Sequence, residues 1–196
     1  MIRILVADDH TVVREGVKQI LAGLDDIVVE DEAENGHETL DKVLKGTCDM
    51  VLLDISMPGR SGLEILEDIL TLRPKFPVLI LSMHPEEQYA VRALRAGAAG
   101  YLTKASAAQE LIGAVRKVAR GGKYVTASLA EKLAVELDSK AGRMPHEKLS
   151  NREYQVMMML ARGKSVGEIA VELCLSVKTV STYRIRVMEK MGMKKN

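Results

Sequence analysis

The sequence predicts a doubly wound α/β sheet followed by a small all-α domain. Strand-length apolar runs alternate with segments of helical period five times between residues 1 and 120. Four of those runs end in a polar residue: Asp8-Asp9, Asp54, Ser82 and Lys104. Beyond residue 148 no strand-like run occurs, only helical periods.

The elements follow in order. Ile2–Ala7 is a buried-strand run, and 12–24 carries Val13, Val17, Ile20, Leu21 and Leu24 at helical spacing. A second strand is expected near 27–29, then the turn signal Asn35-Gly36 and a helix over 38–44. Strand Met50–Leu53 runs into Asp54-Ile-Ser-Met-Pro-Gly-Arg-Ser-Gly62, a loop rich in breakers, and a helix over 63–72 stops at Pro74. Strand 78–81, helix 86–96 ending at Gly97, strand Gly100–Thr103 and helix 107–120 closed by Gly121-Gly122 complete the repeats. Five βα units describe a sheet of flavodoxin-like order, a domain spanning 1–121. A linker of 122–148 holds an amphipathic helix near 127–138, with Leu129, Leu133 and Leu137 on one stripe, and the polar stretch 138–148. The second domain spans 149–196.

Bulk properties bound the function. The 196 residues suit two small domains, with 47% apolar content to build cores and 28% charged. No apolar stretch approaches a membrane span, and no signal-type run opens the chain. Cys48 and Cys174 suggest neither a disulfide framework nor a metal set, so a reducing cytoplasm is expected. The net charge of +1 hides an asymmetry. Residues 1–147 hold 18 Lys and Arg against 23 Asp and Glu, a net of −5, whereas 148–196 hold 10 against 4, a net of +6. Such a split points to a basic module that meets a polyanion, although a solvated basic face has the same composition.

In a parallel sheet with helical crossovers the strand C-termini share one edge, so Asp8, Asp9, Asp54, Ser82 and Lys104 converge there. Like charges held close raise one another's pKa unless a cation neutralises them. Mg²⁺ fits, because it takes a few carboxylate oxygens plus waters and phosphate oxygens. Asp54 stands alone on its strand end and is expected to be the carboxylate open to in-line attack on phosphorus, forming an acyl phosphate. Lys104 would pair with phosphoryl oxygens, the Ser82 hydroxyl would donate to one, and the Ser56 main-chain carbonyl would complete the metal shell. Singly, each residue has a plainer explanation: a helix cap for Asp8 or Asp9, a solvated lysine, a half-buried tyrosine at 101. His10 and His84 lie near the same edge and read as rim residues.

This set resembles the receiver domain of two-component response regulators. The matching residues are Asp8-Asp9 after the first strand, Asp54 with Met57-Pro58-Gly59 and Gly62 beyond it, Ser82 after the fourth and Lys104 after the fifth. The resemblance implies that Asp54 accepts a phosphoryl group from a sensor histidine kinase. It implies that Asp9, Asp54 and the Ser56 carbonyl bind Mg²⁺ directly, with Asp8 acting through water. It also implies that Ser82 and Tyr101 form the switch. Where the family usually has proline after the lysine, Ala105 stands here, so a trans peptide is expected.

In the second domain Ser150 and Glu153 form a capping-box signature. The helix behind it turns Val156, Met157, Leu160 and Ala161 inward. After Gly163-Lys-Ser165, a short helix buries Ile169, Ala170 and Leu173, and Ser176 caps a third helix. With Val180 at the centre of its buried stripe, Val177, Val187 and Met191 fall near it, while Lys178, Thr182, Ile185 and Glu189 face outward with Ser181 beside them. That is a helix-turn-helix whose last helix enters the major groove. Lys178, Arg184 and Arg186 are candidate phosphate contacts, and Ile185 either meets a thymine methyl or covers a neighbouring helix.

Here the sequence resembles the LuxR-type output domain of the NarL/FixJ group, through Leu149-Ser-x-Arg-Glu153, Gly163-Lys-Ser165, Ile169-Ala170 and Leu175-Ser-x-Lys-Thr-Val180. The implied DNA-binding residues are Lys178, Thr179, Ser181, Thr182, Arg184, Ile185 and Arg186. Tyr183 stands where the family often has histidine, and the sequence ends at Asn196, where the family usually continues into a fourth, dimerising helix.

Together the two resemblances imply a phosphorylation-dependent transcription regulator. Its partners would be a histidine kinase and double-stranded DNA, with a homodimer formed on phosphorylation and no membrane contact. It would be no turnover enzyme, though the receiver would assist its own phosphorylation and dephosphorylation. Three alternatives compete. A Mg²⁺-dependent phosphatase would want an Asp-x-Asp pair, and this chain has adjacent aspartates. A phosphorylation-independent regulator would not need the intact acidic set. An RNA- or protein-binding module would show no preference for duplex DNA.

Overall fold

The computed structural model describes residues 1–138 and 145–193. The centre of the expected linker, the Leu137 side chain and residues 194–196 lie outside the described residues. The chain forms two compact units that divide after Asp138.

The first unit is a five-stranded parallel sheet. Its strands are β1 (Ile2–Ala7), β2 (Ile27–Ala33), β3 (Met50–Leu53), β4 (Val78–Ser82) and β5 (Gly100–Thr103), in the order β2-β1-β3-β4-β5. The helices between them are α1 (Thr11–Leu21), α2 (Gly36–Lys45), α3 (Gly62–Leu72), α4 (Glu86–Arg95) and α5 (Ala108–Ala119). Strands this uniformly apolar need cover on both faces. Ile4, Val6, Met50, Leu52, Leu79 and Leu81 pack with Val17 and Leu21 of α1 and with Leu111, Val115 and Val118 of α5. The alternate residues Leu5, Val51, Leu53, Ile80 and Tyr101, which the pleat directs to the opposite face, are equally buried.

β2 is longer than the apolar run predicted, because Glu30, Asp31 and Glu32 continue it. It is an edge strand, so its charges reach cations on the flanking helices: Lys42 Nζ lies 2.9 Å from Asp31 Oδ1, and Lys18 Nζ 2.7 Å from Glu32 Oε1. The turn signals act as expected. Asn35 caps α2 through its side chain, Ser61 and Glu64 form a capping box on α3, and Gly46 closes α2 in the left-handed region at φ 77°. The helix α6 (Ala127–Asp138), expected within the linker, packs against α4. There Leu129 is buried, and Thr126 Oγ1 donates to Glu86 Oε2 at 2.7 Å.

The second unit holds a short 3₁₀ turn (Pro145–Lys148) and helices α7 (Asn151–Ala161), α8 (Val166–Glu172) and α9 (Val177–Lys190). Its core is Val156, Met159, Ile169, Ala170, Leu173 and Val180, with Leu160 and Tyr183 packed against it. Ala161, expected inward, is exposed, and Met157 is half-buried while Met159 takes the core position. Three serines, Ser150, Ser165 and Ser176, cap α7, α8 and α9. The buried polar residues of α7 are satisfied. Arg152 donates to Gln155 Oε1 (2.7 Å) and to the Leu173 carbonyl (3.2 Å), and Glu153 pairs with Lys190 at 2.6 Å. No helix among the described residues is long and apolar enough to cross a membrane.

Two expectations follow. A Cβ on Gly62 would lie 2.0 Å from the Asp54 carbonyl oxygen, which is backbone and cannot yield. Gly62→Ala should therefore lower stability by ~1–3 kcal/mol in urea unfolding. Glu153 answers to pH. Burial pushes its carboxyl up, but Lys190 and the Ser150 amide outweigh that and hold it below the ordinary value. Its stabilisation is full above the unfolded value, about 4.3, and is lost as pH falls through the lower folded one. Between pH 6 and pH 3, Glu153→Gln should lose less thermal stability in the second unit than the native chain; equal losses would remove the assignment.

Candidate phosphoacceptor and DNA-binding surfaces

The C-terminal ends of β1, β3, β4 and β5 bring the predicted residues to one edge, where the strand order reverses between β1 and β3. Main-chain hydrogen bonds carry the sheet pattern past the strand ends. The Asp8 amide donates to the Ala33 carbonyl (3.0 Å), that of Asp54 to Ala7 (2.9 Å) and that of Lys104 to Ser82 (2.8 Å). These bonds fix where each side chain starts. Lys104 Nζ then lies 2.6 Å from Asp8 Oδ2 and 2.9 Å from Asp54 Oδ2. The three side chains are 5%, 2% and 1% exposed.

One ammonium thus serves two buried carboxylates. Burial pushes the Asp54 carboxyl up, and the Asp8 charge adds to the rise while Lys104 opposes it. Burial alone would lower the Lys104 ammonium, yet the two aspartates hold it above its ordinary value. Asp54 Oδ1 is buried and makes no hydrogen bond of good geometry, whereas Asp8 Oδ2 has the ammonium as its ionic partner. An unsatisfied buried acceptor costs roughly 1–3 kcal/mol, more when charged. Ligand atoms of Asp8, Asp9, His10 and Asp54 all lie within 4.8 Å of one another. The orphaned oxygen and this oxygen-rich donor set fit a hard divalent cation such as Mg²⁺.

Asp54 was expected to be open to attack, and the structure buries it. The loop beyond folds back: the Gly62 amide donates to the Ile55 carbonyl (2.9 Å), and Ile55, Met57 and Ser61 are buried. Ser56 is half-buried. Two histidines lie beside the cluster, at the edge where they were expected. His10 Nδ1 lies 2.9 Å from Asp9 Oδ1 and 3.1 Å from Asp8 Oδ1, with its ring 60% exposed. His84 Nε2 lies 3.3 Å from Ser56 Oγ, and its ring packs on Tyr89 with centroids 4.8 Å apart. The His84 main chain joins the two predicted switch residues. Its amide donates to Ser82 Oγ (3.1 Å), and its carbonyl accepts from the Tyr101 hydroxyl (2.8 Å). Tyr101 is turned inward and buried, which pushes its phenol up and keeps it a donor. Lys104–Ala105 is trans, as are all described peptides.

Sequence reasoning missed Arg14, buried in α1 with its guanidinium on the Asp8 carbonyl (2.8 Å). A signal was present: Arg14 shares its helix face with the core residues Val17 and Leu21 at i+3 and i+7.

On α9 the described surface matches the outward assignment. Lys178, Thr182, Arg184, Arg186 and Glu189 are exposed, and so is Ile185, at 42%. Thr179 and Ser181 are half-buried, and the Thr179 hydroxyl is engaged with Ser176 Oγ at 2.7 Å. Among the described residues Ile185 is not part of the core cluster, and it lines a depression with Met188, Glu189 and Met193. Tyr183 packs on the core. Val177, expected within the buried stripe, is 57% exposed. It opens α9 directly after the turn, and helix packing begins one turn later at Val180.

Residues 4–116 match the response regulator receiver domain, and residues 147–196 match the bacterial regulatory proteins of the luxR family. The chain is 39% identical over 193 residues to the response regulator GacA of Pseudomonas viridiflava, covering 98% of this chain and 90% of that one. It is 37% identical to the response regulator UvrY of Escherichia coli K12, covering 98% and 88%. Among solved structures it resembles RcsB from Salmonella enterica serovar Typhimurium bound to promoter rprA with the phosphomimetic BeF3-, at 25% identity and TM-score 0.68, covering 100% of this chain and 94% of that one. With the receiver edge and the helix-turn-helix on one chain, these matches show that the protein belongs to the two-component response regulators that join a receiver domain to a LuxR-type DNA-binding domain.

Proposed function

We propose that Asp54 is the phosphoacceptor and that its phosphorylation controls binding of double-stranded DNA by α9. The observation that carries this is the Asp54 carboxylate, buried at the strand-order reversal with Lys104 on one oxygen and no partner of good geometry on the other. An Asp54 oxygen attacks the phosphorus of a phosphohistidine on a sensor histidine kinase. The P–O bond forms as the P–N bond breaks, and the imidazole leaves. Lys104 then moves its contact from the carboxylates to a phosphoryl oxygen. Ser82 Oγ, which accepts from the His84 amide, turns its proton toward the same group. Asp9, Asp54 and the Ser56 main-chain carbonyl would hold Mg²⁺, with Asp8 beside them. When bound, the ion would supply charge neutralisation for the phosphoryl oxygens. The receiver thereby assists its own phosphorylation and dephosphorylation without turning over a separate substrate.

The new charge acts on Ser82, His84 and Tyr101, which are already joined by hydrogen bonds. We assign 1–121 to the receiver, 122–148 to the linker and 149–196 to the DNA-binding domain. On DNA, Thr179, Ser181, Thr182 and Ile185 lie on or beside the outward side of α9, and Lys178, Arg184 and Arg186 supply phosphate contacts. The RcsB structure, bound to a promoter in the presence of a phosphomimetic, supports the pairing of phosphorylation with DNA binding by similarity. A phosphorylated homodimer in the cytoplasm reads two half-sites.

Acetyl phosphate with Mg²⁺ should add a phosphoryl mass to the native chain, shift it toward a dimer in size-exclusion and tighten operator binding. Asp54→Ala should lose all three responses; persistent tightening by phosphodonor in that variant would sink the assignment. Lys178→Ala should weaken binding across DNA sequences and reduce the slope of log affinity against log salt by about 1. An unchanged slope would exclude a phosphate contact at that position.

A further inference from the structure

Arg14 is buried on α1 and its guanidinium works in two directions. Toward β2 and the residue beyond it, Nε donates to Glu32 Oε2 (3.0 Å) and Nη2 to Glu34 Oε1. Toward the sheet edge, Nη1 donates to the Asp8 carbonyl at 2.8 Å, and Nη2 reaches Thr11 Oγ1 at 3.4 Å. The Asp8 carbonyl belongs to the peptide joining Asp8 to Asp9. A rigid fork tied to β2 therefore sets the plane of the peptide between two acidic residues. The same segment is held at its other bonds: the Asp8 amide donates to the Ala33 carbonyl, and the His10 amide donates to Asp8 Oδ1 at 2.9 Å.

We infer that Arg14 is a positioning residue for the divalent cation: it orients the Asp8–Asp9 peptide so that both carboxylates face the cluster. This rests on the proposed Mg²⁺ reading and adds to it a residue outside the ligand set. The bond to the carbonyl is charge-assisted, and burial shields it from competing water. Only a planar guanidinium spans Glu32, Glu34 and a main-chain carbonyl at once. A lysine ammonium is a compact charge that would settle on the carboxylates and release the peptide. Groups that orient metal ligands typically account for about 10–100-fold in metal affinity.

The test is Mg²⁺ affinity of the full chain without phosphodonor, by titration calorimetry, with cooperative thermal unfolding confirmed for each variant. Arg14→Lys should weaken Mg²⁺ binding by about 10-fold or more. Glu34→Gln, which loosens the fork from an exposed position, should weaken it by a smaller factor. Arg116→Lys is the control. Arg116 forms a comparable fork on Asp26 (2.8 and 2.8 Å) at the opposite edge of the sheet, and its loss should leave Mg²⁺ affinity unchanged. At saturating Mg²⁺, Arg14→Lys should recover the native rate of phosphorylation by acetyl phosphate, which a general loss of structure would not permit. Native affinity in a folded Arg14→Lys overturns the inference; if that variant does not fold, native affinity in Glu34→Gln overturns it. A native chain that binds no Mg²⁺ removes the metal reading and this inference together, whereas native binding with an unaffected Arg14→Lys removes the inference alone.

Discussion

The contact on which the first unit depends is the Lys104 ammonium set between Asp8 and Asp54. Three strands converge to make it, and each contributes a side chain that is nearly inaccessible to water. Buried charges are tolerated where partners hold them, and removing one partner of such a set typically costs roughly 3–5 kcal/mol. The arrangement is deliberately short of positive charge: two buried carboxylates and the part-exposed Asp9 face one ammonium. That shortfall gives the site an appetite for a cation. In the proposed function, a cation and a phosphoryl group would give the same lysine a new partner. The fold therefore holds an electrostatic imbalance at this edge rather than a cavity.

The imbalance connects to packing through a single residue's main chain. His84 receives the Tyr101 hydroxyl on its carbonyl and gives its amide to Ser82, so one residue's main chain links Ser82 to Tyr101. Tyr101 is fully buried on the edge strand β5, in a close-packed surround. The N-terminal turn of α4 begins two residues beyond His84, and Glu86 in that turn accepts from Thr126 at the start of α6. Local electrostatics at Asp54 thus share a short covalent and hydrogen-bonded route with the segment that leads out of the unit.

Much of this was legible in the sequence because parallel sheets impose a rule: polar residues that end apolar runs must meet on one edge. Asp8, Asp9, Asp54, Ser82 and Lys104 obey it, and so their convergence needed no contact information. What was not legible depends on neighbours from distant segments. Asp31 and Glu32 look like loop residues until the edge position of β2 and the cations of α1 and α2 are known. The burial of Asp54 depends on a loop folding back over it, which a run of breakers does not disclose. His84 reads as a rim residue because its role lies in its amide and carbonyl, which sequence cannot distinguish from any other. Val177 fits the helical stripe by angle yet is exposed, because periodicity says which face a residue occupies and not whether a partner covers that turn.

The second unit manages a different shortage. Its core is a handful of side chains, and α9 gives it only Val180 and Val187 as fully buried residues out of fourteen. A helix so lightly anchored needs help at its ends. Ser176 supplies it at the N-terminus, a cap worth about 1 kcal/mol in typical hosts. Lys190 adds an ion pair to Glu153 that ties the last turn of α9 to the first turn of α7. Because these terminal interactions carry part of the stability, the middle of α9 is released from packing. Lys178, Thr182, Arg184, Ile185 and Arg186 can then be chosen for what they meet outside the protein. The exposed face of α9 is affordable because the unit is held at its helix ends, and this is why a domain of so few residues can leave one whole helix face free of its own core.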